Sequence, residues 1–387
     1  MSISLDRELD DARRQTDELL QIVGEDSWYE RPIPERHRII FYLGHLEAFD
    51  WNLLARYALD LPSFHPTFDR LFAFGIDPAE GDLPSDRPSD WPAAGEVERY
   101  SQRTRRVIDG MRARIPEELL HAAIEHRLMH AETLAYILHQ LPYERKRGPV
   151  EQPFAARALP TSGSSADMIP IPAGLVELGQ RAGEGFGWDN EYQAHRQEVP
   201  VFRITKYKVT NGEYLEFVRA GGSPPFFWFE RRGEWFYRGM FAEIPLPLDW
   251  PVYVTKSQAD VYAEWRALAL PTEAQFQRAA ARQIPSHNVD FRSWDPVPVT
   301  ADNTGDPLPS QMTGNGWEWT STVFGPFPGF APLPYYTNYS EPFFDGQHYV
   351  LKGGSPRTAA RFLRASFRNW FRPSYPYIYA TFRLVAS

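Results

Sequence analysis

At 387 residues the chain is long for one hydrophobic core, so two domains are expected, and an apolar content of 43% is enough to fill them. A net charge of −9 and a pI near 5.6 weigh against nucleic acid as a partner. No apolar run approaches the roughly 18–20 residues that a membrane span needs. Cysteine is absent, which removes disulfides, thiolate metal ligands and cysteine nucleophiles together. With a charged N-terminus that lacks an apolar signal core, this points to a cytoplasmic protein.

The first part reads as helices. LDRELDDARRQTDELLQIV places Leu5, Leu9, Ala12, Leu19 and Val23 near one 3.6-residue stripe. RHRIIFYLGHLEAFDWNLLARYAL is a long apolar-rich helix, and EVERYSQRTRRVIDGMRARI is a polar-faced one. PEELLHAAIEHRLMHAETLAYILHQL is the fourth, opened by Pro116 and two glutamates that suit a helix N-terminus. Four helices of this length predict an antiparallel bundle over 1–142, with 60–92 as a long crossover loop. Residues 143–167 carry Pro, Gly and Ser without periodicity and read as a linker. From 168 to 387 short strand-like runs such as MIPIPAGLVELG, VPVFRITKYKVT and HYVLKGGS alternate with Gly and Pro. Only NGEYLEFVRAG and SQADVYAEWRAL stand out there as helices, so the second part reads as a loop-rich α+β domain, and the whole as a multidomain α and α+β chain. The 15% aromatic content predicts aromatic-lined pockets.

EHRLMH sets His126 and His130 four positions apart, on one helix face, with Cβ atoms roughly 5–6 Å apart. The bland reading is a polar face. A zinc-protease helix needs Glu directly after the first histidine, and Arg127 stands there. Glu132 lies round the helix from His130 and is no natural third ligand. His45, in the middle of the apolar LGHLEAF, shifts the balance, because an unsatisfied imidazole in a bundle core is costly. Facing helices build metal sites in such cores, and three neutral imidazoles would leave coordination positions open. His37, His65, His121, His139, His195, His287 and His348 read as surface or structural.

A histidine on an early helix followed by HxxxHxE resembles the DinB-like bundle of the ergothioneine-biosynthesis sulfoxide synthases. The second part resembles the formylglycine-generating-enzyme fold, related to C-type lectins, through GWDNE, KVTNGEYLEFV, LPTEAQFQRAA, GNGWEWTSTVFGPFPGF, LKGGS, RASFRNWF and FRLVAS. Formylglycine-generating activity itself works through cysteines and is excluded here. The resemblance implies a mononuclear non-heme iron(II) enzyme that uses O2 to join a chalcogen to C2 of the imidazole of hercynine. By motif, it implies iron ligands His45, His126 and His130, and a hercynine pocket lined by Asn369 and Trp370. Aromatic faces hold a quaternary ammonium well. Its carboxylate would meet polar groups near Asn369, or Arg368 or Arg372, although Arg368 reads equally as a structural salt-bridge partner. Trp317 and Trp319 read as core. The two halves are expected to meet at the active site, iron in the first and substrates mostly in the second.

The chain departs from the family in its co-substrate positions. Where γ-glutamylcysteine-using members follow RNW with Asp and, four residues on, Arg, this chain has Phe371 and Tyr375. Their PYPGF, whose Tyr assists as a proton donor, is PFPGF here, so Phe327 has no hydroxyl. The residue before His130, often Gln in the family, is Met129. Aromatic faces stack on sugars, and a selenol is more acidic than a thiol and needs less help from a catalytic Tyr. These departures fit the selenoneine synthase branch, which couples hercynine to a selenosugar. A sulfoxide synthase using cysteine or γ-glutamylcysteine is the alternative. A zinc-dependent DinB-type thiol S-transferase and a metal-free binding module are the rivals from other classes.

Overall fold

The structure is a computed structural model that describes residues 5–73, 83–148, 167–281, 288–300 and 308–387. The chain forms two compact units, Met1–Glu151 and Gln152–Ser387. Most of the expected linker lies outside the described residues.

The first unit is helical: α1 Leu5–Leu20, α2 Ile39–Asp50, α3 Pro66–Leu71, α4 Ala94–Asp109 and α5 Glu117–His139. α1 buries Leu9, Ala12 and Leu19 of the stripe read from the sequence, together with Thr16, and packs on α5, while α2 packs on α4. α2 and α5 are buried nearly all round because they are the inner helices. α2 runs on into a π-helical segment, Trp51–Tyr57, so the expected long helix is present but not uniformly α. The 60–92 stretch is not all loop, because Pro66 starts α3 and the His65 ring accepts from the Phe68 N–H as its cap. Residues 74–82 lie outside the described ones.

Charges tie the bundle together from inside. Arg127 on α5 is fully buried and donates to Glu47 at 3.0 Å, to Asp50 at 2.7 Å and to the Leu46 carbonyl at 3.1 Å, all on α2. Arg105 on α4 joins Glu47 at 2.8 Å to Asp17 of α1 at 2.7 Å. Burial alone would push the Glu47 carboxyl up, but Arg127 and Arg105 outweigh it and hold it well below its ordinary range. These residues clamp together the two helices that carry the histidines.

The second unit has twelve short strands among its described residues. β4 Phe202–Thr205 lies between β1 Met168–Ile171 and β12 Val385–Ala386 and pairs antiparallel with both. β2 Gly174–Leu178 and β3 His195–Val199 form a hairpin, and β5 Trp228–Arg231, β6 Glu234–Arg238 and β7 Glu243–Pro245 form a meander. The fourth sheet runs β10 Asn369–Phe371, β9 Tyr349–Lys352, β8 Trp317–Val323, β11 Ala380–Thr381. The described residues of this unit hold three α-helices, not two: α6 Asn211–Arg219 and α7 Lys256–Trp265, which pack on each other, and α8 Glu273–Ala280, which packs on the sheets. Each opens with a capping box, Thr210 with Glu213, Thr255 with Gln258, and Thr272 with Gln275. That signature in PTEAQ marks α8, which its eight residues leave too short for a clear apolar period.

Loops this long need interior anchors, and the unit supplies them as buried ion pairs. Glu318 in WEWT is fully buried and accepts from Lys208 at 2.8 Å and from both ends of Arg383, at 2.5 and 2.9 Å. Burial pushes its carboxyl up, and the two cations more than reverse this. Trp319 and Trp317 are core, as read, with the Trp319 indole N–H donating to the Val254 carbonyl. Gly353 of LKGGS holds φ at +99°, and a Cβ there would come within 2.7 Å of the Met312 carbonyl, so glycine is required for that close approach.

Candidate metal centre and substrate residues

His45 projects from α2, and His126 and His130 project from one face of α5. One ligand nitrogen from each lies within 4.8 Å of the others. No other group of three such side chains meets that condition among the described residues. The other described histidines stay outside the cluster, and His287 lies outside the described residues. The ring centroids stand 5.1 Å (His45–His126), 4.7 Å (His45–His130) and 4.5 Å (His126–His130) apart.

The packing sets each ring. Phe41 stacks on His45 at 4.7 Å, and Phe49 lies parallel to His126 at 3.4 Å. Both phenylalanines sit on α2, four residues to either side of His45. His45 Nδ1–H donates to the Phe72 carbonyl at 2.7 Å, which leaves Nε2 as the basic nitrogen, facing His130 Nε2 at 3.1 Å. Gly44 makes this contact possible: a Cβ at that position would stand 2.6 Å from the Phe72 ring. In LGH, the glycine is therefore part of how the histidine is held.

Burial removes the proton from all three rings. It holds His45 at about 4, against a bonus from the Phe72 carbonyl. His126 and His130 are pushed well below their ordinary range, first by burial and then by their neighbouring rings and nearby arginines. Neutral imidazoles in this arrangement fit a divalent ion. Two nitrogens bound side by side at about 2.1 Å from one ion stand about 3 Å apart, close to the 3.1 Å between His45 and His130. Three nitrogen donors suit iron, zinc, copper or nickel and leave positions for further ligands. Met129 is half-buried on α5 between the two histidines. Arg127, which rules out the zinc-protease reading, is the helix clamp described above, a role that the sequence reading missed. Its signal was a charged residue whose neighbours on the helix face include the apolar Ala123, Ile124 and Ala131.

In the second unit the predicted substrate residues separate. Asn369, Trp370 and Phe371 form β10 and are half-buried. Asn369 accepts the Trp370 backbone N–H at 2.9 Å. Trp370 lies flat on Phe324, 4.3 Å away at 8°, with Tyr339 edge-on at 5.3 Å and Phe343 at 5.5 Å. Phe371 stacks on Tyr375 at 5.3 Å and 13°, and Tyr377 and then the exposed Phe226 continue the row. Arg372 is exposed and has no ion pair among the described residues.

Two expected substrate residues are structural here. Arg368 is buried, pairs with Glu273 at 3.0 Å and donates to the carbonyls of Asn190 and Gly325, so its guanidinium is committed to the fold. That is the salt-bridge side of the alternative. Phe327 sits in the core with Val176, Phe202 and Phe276, its face 4.0 Å beneath Arg368. A ring without a hydroxyl has no polar tip to keep wet, so it packs inward.

The chain resembles known proteins along both units. Residues 155–296 and 308–387 match the sulfatase-modifying factor enzyme 1-like domain, and residues 8–142 match the DinB superfamily. "Hercynine oxygenase" of Mycolicibacterium thermoresistibile is 33% identical over 330 residues, 72% of this chain and 71% of that protein. "Hercynine oxygenase" of Mycobacterium tuberculosis is 36% identical over 242 residues, 52% of this chain and 56% of that protein. "Ergothioneine biosynthesis protein 1" of Schizosaccharomyces pombe is 27% identical over 94% of this chain, which spans 54% of that protein's length. No helix among the described residues is long and apolar enough to cross a membrane. A DinB-type bundle followed by a sulfatase-modifying-factor-type domain, with this identity along most of a hercynine oxygenase, shows that the chain belongs to the hercynine oxygenase family of ergothioneine-biosynthesis proteins.

Proposed function

We propose that this chain is a cytoplasmic, non-heme iron(II), O2-dependent enzyme that joins a chalcogen atom to C2 of the hercynine imidazole. The observation that carries this reading is the cluster of three neutral imidazoles in the DinB-type unit, His45 and His126 buried and His130 half-buried. The hercynine oxygenase relatives support the choice of substrate. His45, His126 and His130 would hold the iron, whose part when bound is to bring O2 and the chalcogen substrate together. The residues of the chain bind and orient. The Phe72 carbonyl fixes the His45 ring, and the aromatic walls keep water from the imidazoles. The face of Trp370 opposite Phe324 takes the trimethylammonium group of hercynine.

Within this reaction two second substrates are in play. The names of the relatives support an ergothioneine-type product, for which a thiol such as cysteine or γ-glutamylcysteine would be the second substrate. The stacked Phe371–Tyr375 pair supports a neutral polyol, hence a selenosugar and C–Se coupling in selenoneine biosynthesis. The rings themselves offer the carboxylates of a thiol peptide no charge, so only a cation outside the pair, such as the exposed Arg372, would meet them. A competition decides between them: hercynine, iron(II), a selenosugar, its thiosugar analogue and γ-glutamylcysteine are mixed without O2, exposed to air, and the products resolved by mass. A dominant selenosugar adduct is the result expected from the aromatic pair. A dominant cysteine-derived sulfoxide makes the chain an ergothioneine-type synthase, and no adduct at all removes the coupling reading.

Trp370→Ala tests the hercynine position separately. Loss of a desolvated cation–π contact weakens hercynine binding by roughly 1–2 kcal/mol. Because Trp370 also stacks on Phe324, the variant loses some stability, so affinity is measured by calorimetry at a temperature where both proteins are folded. An unchanged affinity removes Trp370 from the site.

A further inference from the structure

The turn Trp188–Glu191 carries three consecutive buried polar side chains with very different hydrogen bonding. Glu191 is saturated: it accepts from the Trp188 N–H at 2.9 Å, from Arg364 at 2.8 and 2.5 Å, and from the Ser366 hydroxyl at 2.7 Å. Asp189 is half used. Its Oδ1 accepts from the Ser340 hydroxyl, while Oδ2 is buried without a partner. The Asn190 amide is not used at all, and both its nitrogen and its oxygen are buried and unpartnered. Buried polar atoms are nearly always bonded, so three unmet ones on adjacent residues need an occupant.

Their neighbours indicate what kind. The Trp188 ring lies on Tyr339 at 4.1 Å, Ser340 follows Tyr339, and Tyr339 meets Trp370 edge-on at 5.3 Å. From the other side, the Asn190 carbonyl accepts from Arg368 at 3.3 Å, two residues before Trp370. The turn that carries the unmet atoms is thus joined to the aromatic cluster around Trp370 through Trp188, Tyr339 and Ser340.

We propose that Asp189 Oδ2 and the Asn190 amide are the polar end of the Trp370 site, and that they bind a ligand group in which an N–H or O–H donor adjoins an acceptor. Asp189 takes the donor, and the Asn190 N–H bonds the acceptor. An imidazole ring offers this pattern in its two nitrogens, and a sugar offers it in vicinal hydroxyls. Burial also pushes the Asp189 carboxyl up to about 6, and a donor from a ligand would stabilise its charged form. The inference rests on the reading of Trp370 as a substrate residue.

The test uses the full chain loaded with iron(II) under anaerobic conditions, titrated by calorimetry with hercynine in one arm and 1-thio-D-glucose in the other. Asp189→Asn and Asn190→Asp keep the size of each side chain, and Asn190→Ala removes the amide. Affinity in one arm is expected to fall at least tenfold in all three variants, with an unfolding midpoint close to wild type. A fall in the hercynine arm assigns the pair to the imidazole, and a fall in the sugar arm assigns it to hydroxyls. Wild-type affinities in the same-size variants overturn the proposal and leave the Trp370 reading standing. A wild-type protein that binds neither probe overturns the reading of Trp370 and the proposal with it.

Discussion

His45→Ala is expected to abolish both iron binding and coupling. Removing a group that only orients a metal-bound histidine costs roughly 10–100-fold in metal affinity, and removing one of three ligands should exceed that. His45 is also the ring whose tautomer is fixed by the Phe72 carbonyl, and its Nε2 stands 3.1 Å from His130. The variant removes the arrangement that holds two nitrogens at the spacing of adjacent ligands. Metal content after anaerobic reconstitution with iron(II) reads the effect directly, and helical circular dichroism checks that the bundle persists. Stoichiometric iron in the variant would sink the ligand assignment, and turnover supported by zinc without O2 would favour an S-transferase instead.

Arg127→Met carries the largest expected effect on stability, about 3–5 kcal/mol, the usual cost of removing one partner from a buried ion pair. Glu47 and Asp50 would keep their burial and lose the cation between them. The sign of the pH dependence separates this from a simple cavity. In the wild type the Glu47 carboxyl titrates below its ordinary value of 4.5, because Arg127 and Arg105 outweigh its burial. Its contribution to stability is present above that pH and lost as pH falls below it. In the variant Arg105 alone opposes the burial of Glu47 and the lowering weakens, so the gap between the two proteins is widest near neutral pH and narrows on acidification. Denaturant unfolding at pH 7 and pH 4 measures both gaps. A loss of the same size at each pH would mean that packing rather than charge holds the clamp. Metal affinity should drop along with stability, since Arg127 joins the two helices that carry the histidines.

Much of the first unit was legible because helical amphipathicity is a local property. The stripe of Leu9, Ala12 and Leu19 and the Pro-Glu-Glu start of α5 each act within a few turns of their own helix. α8 was missed because eight residues do not sustain a period, although the Thr272–Gln275 box marked its start. The cap that starts α3 was overlooked because a histidine ring is an uncommon helix cap. Residue type and spacing made the three histidines candidates, since two on one helix face and one in an apolar helix are costly without a use.

What the sequence determined by itself was therefore the division into a helical and a loop-rich part, the exclusion of cysteine chemistry, and the choice of the three imidazoles. Only the tertiary structure decided which charged and aromatic side chains serve the fold. Arg368 and Arg372 lie four residues apart with the same side chain, yet one is buried on Glu273 and the other is exposed. Phe327 and Phe371 are both phenylalanines in aromatic loops, yet one fills the core and the other stacks in an aromatic row. Arg127 counted against one metal motif in the sequence and proved to be the clamp between the helices that build another. The partners that decide these cases lie far away in the chain: 95 residues separate Arg368 from Glu273, and 80 separate Arg127 from Glu47. A side chain's role is set by the dielectric and the partners around it, and in loops of low periodicity nothing local specifies either.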